Sequence, residues 1–576
     1  AALVDFARKQ WLWGWCVSET DCIRELRKVS LHNAALSQGA AKALGGLACM
    51  RGAGHLGERA VSELRIALEA AADEGTVGAV VRALGAAMLC GSGDAGEALA
   101  AVGLMHGLVA VRRMVAVEFG SPSALRALEQ NSVLRAAVVS DLSKALTAET
   151  DEGAASAMVR ALRDAMVHLG TVEAGEALAT IGLKHDVAGV RRDVADEFRK
   201  LSALEMLGKH LDLRDRVVSG LRAALEAEMD ESAARAMVRT LSDAMLHGFI
   251  TAGEALATVG LKHDVIGVRR QVAGGISTHH GEISNTHEIL EEHPDLHKRF
   301  VFGLRRALEV EADGGAAGVI VGALGDAMFD FRSVEALEAL AAVGLRHDTA
   351  CVRRKAANEL GRWVHCDELS SLETDGVVRD VVAGLFTALE TETDENAAHA
   401  MVWALCDAMV EGSVDAGEAL AAVGLKHVIA GVRREVADKL WLRNVLEVLD
   451  TNPYLRDRFV WGLRTALETE TDESAAHAMV GALSDVMAEG SVDAGEALAT
   501  VGLSHDVAGV RLLVADKVRR QGVHEMLGAA PNLRYTLVSG LRRALEVETV
   551  DSVAGEMTRS LQSLGADGVL SAVSRA

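Results

Sequence analysis

An all-α solenoid is the fold class that this sequence predicts, and three observations predict it. One eleven-residue stretch returns six times at a nearly fixed, long period. A second, acidic stretch returns out of phase with the first. Between them the apolar residues follow helical spacing, in a chain that is half apolar but only 3% aromatic, with four prolines. Ala, Leu, Val and Glu dominate, a composition that suits helices packed closely through small side chains. No alternating strand pattern between turn signals is found.

The first marker reads GLMHGLVAVRR at Gly103, GLKHDVAGVRR at Gly182 and GLKHDVIGVRR at Gly260. It continues as GLRHDTACVRR at Gly344, GLKHVIAGVRR at Gly424 and GLSHDVAGVRL at Gly502. Its histidines, His106, His185, His263, His347, His427 and His505, are separated by 79, 78, 84, 80 and 78 residues. The second marker falls at Asp73, Asp151, Asp230, Asp313, Asp394, Asp472 and Asp551. A fixed long period is the signature of units that bury their apolar faces on their neighbours. About six units of ~79 residues follow.

One period divides into helices in order. Leu213 to Glu228 places Val217, Val218, Leu221 and Leu225 on one stripe. The turn MDES follows, where Asp230 or Ser232 can cap the next helix. That helix is SAARAMVRTLSDAM, ended by Gly248. AGEALATVGL is a third, short helix, and DVIGVRRQVAGGI a fourth, with Asp264 as its expected cap. A shorter amphipathic piece completes most periods, as in the stretch after Leu442, where Asn452-Pro453 suits a helix start. The period is thus four main helices and a minor one, or two helical hairpins.

The second hairpin, in which a polar residue precedes Val-Arg and then an apolar helix, as in HDVAGVRRDVADEF from His185, resembles a HEAT repeat. The resemblance is to the short bacterial and archaeal kind, also seen in phycobilin-lyase subunits. It covers residues from about 58 to 549, with the Val-Arg motif once per period. It implies a right-handed α-solenoid of HEAT-like hairpins. The expected division is an atypical N-terminal helical cap over 1–57, the repeats over 58–549 and a C-terminal helical cap over 550–576.

Charge narrows the functional classes. With 82 acidic and 59 basic residues the net charge is −23. Such a surface repels nucleic-acid phosphates and anionic lipid. Seven cysteines, an odd number without a C-x-x-C pair, read as reduced thiols of a cytoplasmic protein. No apolar run approaches the roughly 18 uncharged residues of a membrane span.

Within the first marker, the histidine and the first arginine survive in every copy. These arginines are Arg112, Arg191, Arg269, Arg353, Arg433 and Arg511. A glutamate precedes each by fifteen residues: Glu97, Glu176, Glu254, Glu338, Glu418 and Glu496. Six equivalent copies do not suit a catalytic centre, which needs one preorganised site. They suit a structural ladder, each arginine forking onto the carboxylate of the preceding helix or of the adjoining repeat. The rival reading is a row of arginines gripping an acidic ligand. HEAT-like DNA glycosylases lend it precedent by resemblance, and the net charge weighs against it.

Other clusters are weaker. His279, His280, His287, His293 and His297 match no tight zinc-ligand spacing and read as a solvated loop and a short helix. His365, Cys366 and Asp367 are adjacent and so point different ways, a poor nucleophile–base arrangement. The acidic turns lack the glycine and spacing of a calcium loop. Their residues Glu390, Glu392, Asp394, Glu395, Glu468, Glu470, Asp472 and Glu473 are the candidate docking ridge for a basic protein partner. Trp11, Trp13 and Trp15 in the N-terminal segment suggest a cap or an oligomerisation surface.

The sequence therefore supplies no catalytic, cofactor-binding or metal-ligating set. The function expected is a non-enzymatic protein–protein interaction scaffold or adaptor, without cofactor, nucleic acid or membrane. The alternatives are a self-assembling structural protein, a homo-oligomer joined through its solenoid ends, and a nucleic-acid-binding solenoid.

Overall fold

A computed structural model describes residues 34–49, 54–70, 73–276, 284–364, 375–440 and 442–565, and among these all regular structure is helical. The chain divides into two compact units, one of residues 1–275 with 283–300 and one of 276–282 with 301–576. Each is an all-α stack of helical hairpins.

One period shows the plan. It comprises α1 (Ser132–Ala148), α2 (Glu152–Leu169), α3 (Val172–Thr180), α4 (Ala188–Phe198) and α5 (Leu201–Lys209). The next period opens with α6 (Leu211–Ala227). The local chemistry sets these boundaries. Asn131 caps α1 by accepting from the Leu134 N–H, and Asp151 caps α2 by accepting from the Ala154 N–H. Gly170 ends α2 with φ 63°, a conformation that costs glycine little. After α3 a single 3₁₀ turn, Gly182–Lys184, lowers the chain into His185, whose backbone is extended.

Two layers result. Helices α1, α3 and α6 lie side by side, while α2 and α4 form the other layer and α4 packs on the long helix Glu231–Leu246 that follows. Each period is thus two hairpins, α1–α2 and α3–α4, with α5 packing back on α2. The cores are made of Leu, Val, Ala and Met, with Leu162, Leu178, Val190 and Leu225 fully buried. Where α6 crosses α3, a Cβ on Gly220 would stand 2.9 Å from the Ala179 carbonyl oxygen, so these two backbones meet through glycine.

Two expectations are corrected at this level. Asp264 does not take its place as the cap of the fourth helix, Ile266–Ile276. Its backbone carbonyl accepts from Arg269 Nη1 at 3.0 Å, and the Val265 N–H is met by His263 Nδ1 at 3.1 Å. The cap boundary at residue 57 falls inside the helix Gly54–Ala70, which takes the place of α1 in the first period. The region after 550 opens with Asp551–Ser563, which packs on Pro531–Val547 and on the preceding Val-Arg helix Ala508–Lys517, as α2 packs on α1 and on the preceding Val-Arg helix Val109–Phe119.

The helix Gly314–Phe331 is long and apolar enough to cross a membrane by length and composition. It stands in the place of α2 in its period, with Ala316, Ile320 and Leu324 fully buried and Asp326 beside them.

Candidate functional site

The recurring histidine, arginine and acidic turn come together at one node per period. At His185 the ring Nδ1 accepts from the Val187 N–H at 3.1 Å, which leaves Nε2 to donate to the Leu146 carbonyl at the end of α1, also at 3.1 Å. That fixes a neutral ring with its proton on Nε2. Arg191, on α4, turns Nη1 back onto the His185 and Asp186 carbonyls at 2.6 and 3.0 Å. Its Nε and Nη2 then fork onto Glu228 at 2.6 and 2.7 Å, just past the end of α6. Glu228 Oε1 also accepts from the Met229 and Asp230 N–H groups, and Asp230 caps the next helix through the Ala233 N–H.

The node therefore clamps the ends of two neighbouring long helices, α1 through His185 and α6 through Arg191. The same bidentate fork joins Arg112 to Glu149, Arg353 to Glu392, Arg433 to Glu470 and Arg511 to Glu548. In all five the carboxylate is 1% exposed. Arg269 makes the same backward bonds to His263 and Asp264.

The electrostatics follow from this geometry. Burial alone would raise the Glu228 pKa, but the Arg191 fork and two amide donors hold it below the usual carboxylate value. Glu149, Glu392 and Glu470 are depressed for the same reasons. Hydrogen bonding to Glu228 raises Arg191 above its ordinary value. Burial lowers the His427 pKa, in keeping with a neutral imidazole.

The glutamates fifteen residues upstream are not the partners. Glu176 is bound by Arg216, Glu254 lies 3.6 Å from Arg299, and Glu418 accepts from the Tyr454 hydroxyl. Glu97, Glu338 and Glu496 are exposed. The reason is directional. The arginine Nη1 is held by the carbonyls just before its own helix, so its fork points forward across the 3₁₀ turn and away from the preceding short helix. The real acceptors, Glu149, Glu228, Glu392, Glu470 and Glu548, stand two residues before an Asp or Val at the next helix start. A sequence signal existed: the equivalent position in the first acidic turn, which no copy of the arginine motif precedes, is Ala71.

This assignment also breaks up the expected acidic ridge. Glu392 and Glu470 are 4% and 6% exposed and committed to arginines, so they are not free for docking. Asp394 and Asp472 cap helices through the Ala397 and Ala475 N–H groups. Glu390, Glu395, Glu468 and Glu473 remain exposed.

His287 lies on the helix Ser284–Glu292, and His297 on Pro294–Val310. Among the described residues no group of three or more His, Cys, Asp or Glu is arranged to hold a metal ion. His279, His280, His365, Cys366, Asp367, Trp11, Trp13 and Trp15 lie outside the described residues. Sequence reading also missed the exposed aromatics of the second unit. Trp461 and Tyr454 share one face of the helix Pro453–Leu467, and the Lys426 ammonium stands 4.9 Å from the Trp461 ring centre.

The sequence matches no family model and no curated protein. Among solved structures the chain is similar to Kap121p bound to Nup53p, with 12% identity over 98% of this chain and 73% of that one and a TM-score of 0.36. Kap121p bound to Pho4p gives 12% identity, 91% and 69% coverage and a TM-score of 0.36. Importin beta in an ammonium sulfate condition gives 14% identity, 97% and 85% coverage and a TM-score of 0.29. With likeness this low, the fold is read from the chain's own repeating helices.

Proposed function

We propose that the chain is a non-enzymatic scaffold that binds a basic protein partner along the exposed acids of successive repeats. The observation that carries this is a division of labour within the acidic turns at Asp394 and Asp472. One glutamate is buried and fixes the turn, while its neighbours are presented to solvent. Glu390 and Glu468, like Glu395 and Glu473, are 78 residues apart and occupy equivalent places in consecutive periods of one unit. The Arg353–Glu392 and Arg433–Glu470 forks hold those turns in place. A net charge of −23 favours a basic partner and disfavours nucleic acid. We further assign the Val-Arg hairpin of each period to the short bacterial and archaeal HEAT kind.

The test uses the full chain with Glu390, Glu395, Glu468 and Glu473 all changed to Gln. A partner recovered with the parent protein should bind this variant at least about tenfold more weakly, and parent binding should weaken with added salt through screening. The helical signal and melting midpoint should not move. Equal binding by parent and variant, at low and high salt alike, would remove the docking role and leave these acids to solubility.

A further inference from the structure

The odd number of cysteines suggests unpaired thiols, yet the fold brings two of them together where the helices Ala34–Ala48 and Glu74–Leu89 meet. Cys49 follows the helix Ala34–Ala48, and Cys90 ends the helix Glu74–Leu89. These helices touch almost backbone to backbone: a Cβ on Gly45 would lie 3.0 Å from Ala83 Cβ and 3.1 Å from Ala83 Cα. One turn further along, Cys49 Sγ donates to the Ala86 carbonyl at 3.2 Å. The Cys90 N–H donates to that same oxygen at 3.1 Å. Both helices thus run the same way and finish side by side, with the two cysteines converging on one carbonyl. A disulfide needs α-carbons within roughly 7 Å, a condition that close helix contact serves.

The surroundings separate the two thiols. Cys90 is exposed and Cys49 only partly so. Burial and the neighbouring Cys90 thiol push Cys49 up to about 12. Cys90 is therefore the sulfur that meets a reagent first, and Cys49 is the one placed to follow. No copy of the arginine motif precedes this junction, and Ala71 stands where later acidic turns carry glutamate.

We propose that Cys49 and Cys90 form a thiol pair that closes to an intramolecular disulfide on exposure to a small-molecule disulfide, fastening the helix Ala34–Ala48 to the helix Glu74–Leu89. In the first step Cys90, as thiolate, attacks one sulfur of oxidised glutathione, forming a mixed disulfide and expelling one glutathione thiolate. Cys49 then attacks Cys90 Sγ, loses its proton and expels the second glutathione thiolate. The two cysteine sulfurs are oxidised, one disulfide is reduced to two thiols, and the two cysteine protons end on those thiols.

The full-length folded protein would be incubated with oxidised glutathione, quenched with acid, alkylated and mapped by peptide mass spectrometry. The expected product is a Cys49–Cys90 linked peptide pair, lighter by two hydrogens and exceeding any other link at either cysteine by more than about tenfold, because the partner thiol is held at high effective concentration. Unfolding in urea before oxidation should abolish that preference. Cys49→Ser should leave Cys90 as a persistent glutathione adduct, and Cys90→Ser should leave Cys49 as a free thiol. The proposal is overturned if the parent protein accumulates Cys90–glutathione with Cys49 still alkylatable. Linkage of either cysteine to Cys351 or Cys406 at comparable yield, or no modification of either thiol, would overturn it equally. The parent mapping decides the matter even if a serine variant does not fold.

Discussion

Arg191 holds four acceptors at once, two backbone carbonyls before its own helix and both oxygens of Glu228. Removing it strands a carboxylate that is 1% exposed and keeps only two amide donors. Arg191→Ala should therefore cost about 3 kcal/mol in urea melts, the low end for breaking a buried pair. Arg192, 38% exposed and reaching Glu152 and Asp193, should cost less than about 1 kcal/mol on the same change. Equal losses for the two would refute the ladder. Acid should act on the nodes in two stages. His427 is lowered from 6.5 by burial, so the unfolded chain takes up its proton first and stability falls as pH drops below that value. Glu470 is held below 4.5, so its contribution is complete above 4.5 and is lost as pH falls from there through the folded value. Glu470→Gln should be less stable than the parent at neutral pH and lose less between neutral and strongly acid solution. Parallel loss in parent and variant would contradict this. The importance of the first arginine was legible because it persists while its neighbours drift. The adjoining repeat was one of the two expected sources of its partner, but the particular glutamate was not legible, because a constant spacing of fifteen residues along the chain carries no direction.

Helix boundaries were legible wherever the sequence writes the cap. Asp230, Asn452 and Gly248 act where their residue types say they should. The start of the Val-Arg helix was not, because a histidine ring and an arginine fork do there what a capping Asp does elsewhere. Glycine placement was likewise opaque in sequence and plain in packing. Gly220 faces the Ala179 backbone, whereas nothing lies within 4 Å of a Cβ on Gly208 of α5. Gly208→Ala should stabilise by up to about 1 kcal/mol, the ordinary helix gain. Gly220→Ala should destabilise by about 1 kcal/mol or more, because carbonyl backbone cannot yield as a side chain can. Thermal midpoints moving in the same direction for both would sink this distinction. The one period that departs from the glycine pattern departs in a matched way. Leu337 replaces the glycine at the position of Gly175, and Val377 replaces the leucine at the position of Leu213, on helices that touch.

At the scale of the whole molecule, the period was legible from recurrence alone, and so was the all-helical class. The ends were not, because a terminal period keeps the helices while losing the markers: Gly54–Ala70 is a period's first helix with no arginine motif before it. The division of the chain into two units has no marker in the repeats, although its boundary falls where the histidine step lengthens to 84 residues. If the array is built from equivalent periods stitched node by node, with no single node a dedicated chemical site, one whole period should be removable. Deleting residues 427–504 tests this most directly, since it joins Lys426 to His505 in matching register and leaves the Arg511–Glu548 fork intact. The expected result is a shorter protein with unchanged helical signal per residue by circular dichroism and a single cooperative melt. Collapse of the helical signal, or aggregation of the shortened chain where the full chain stays dispersed, would show that the periods are not interchangeable.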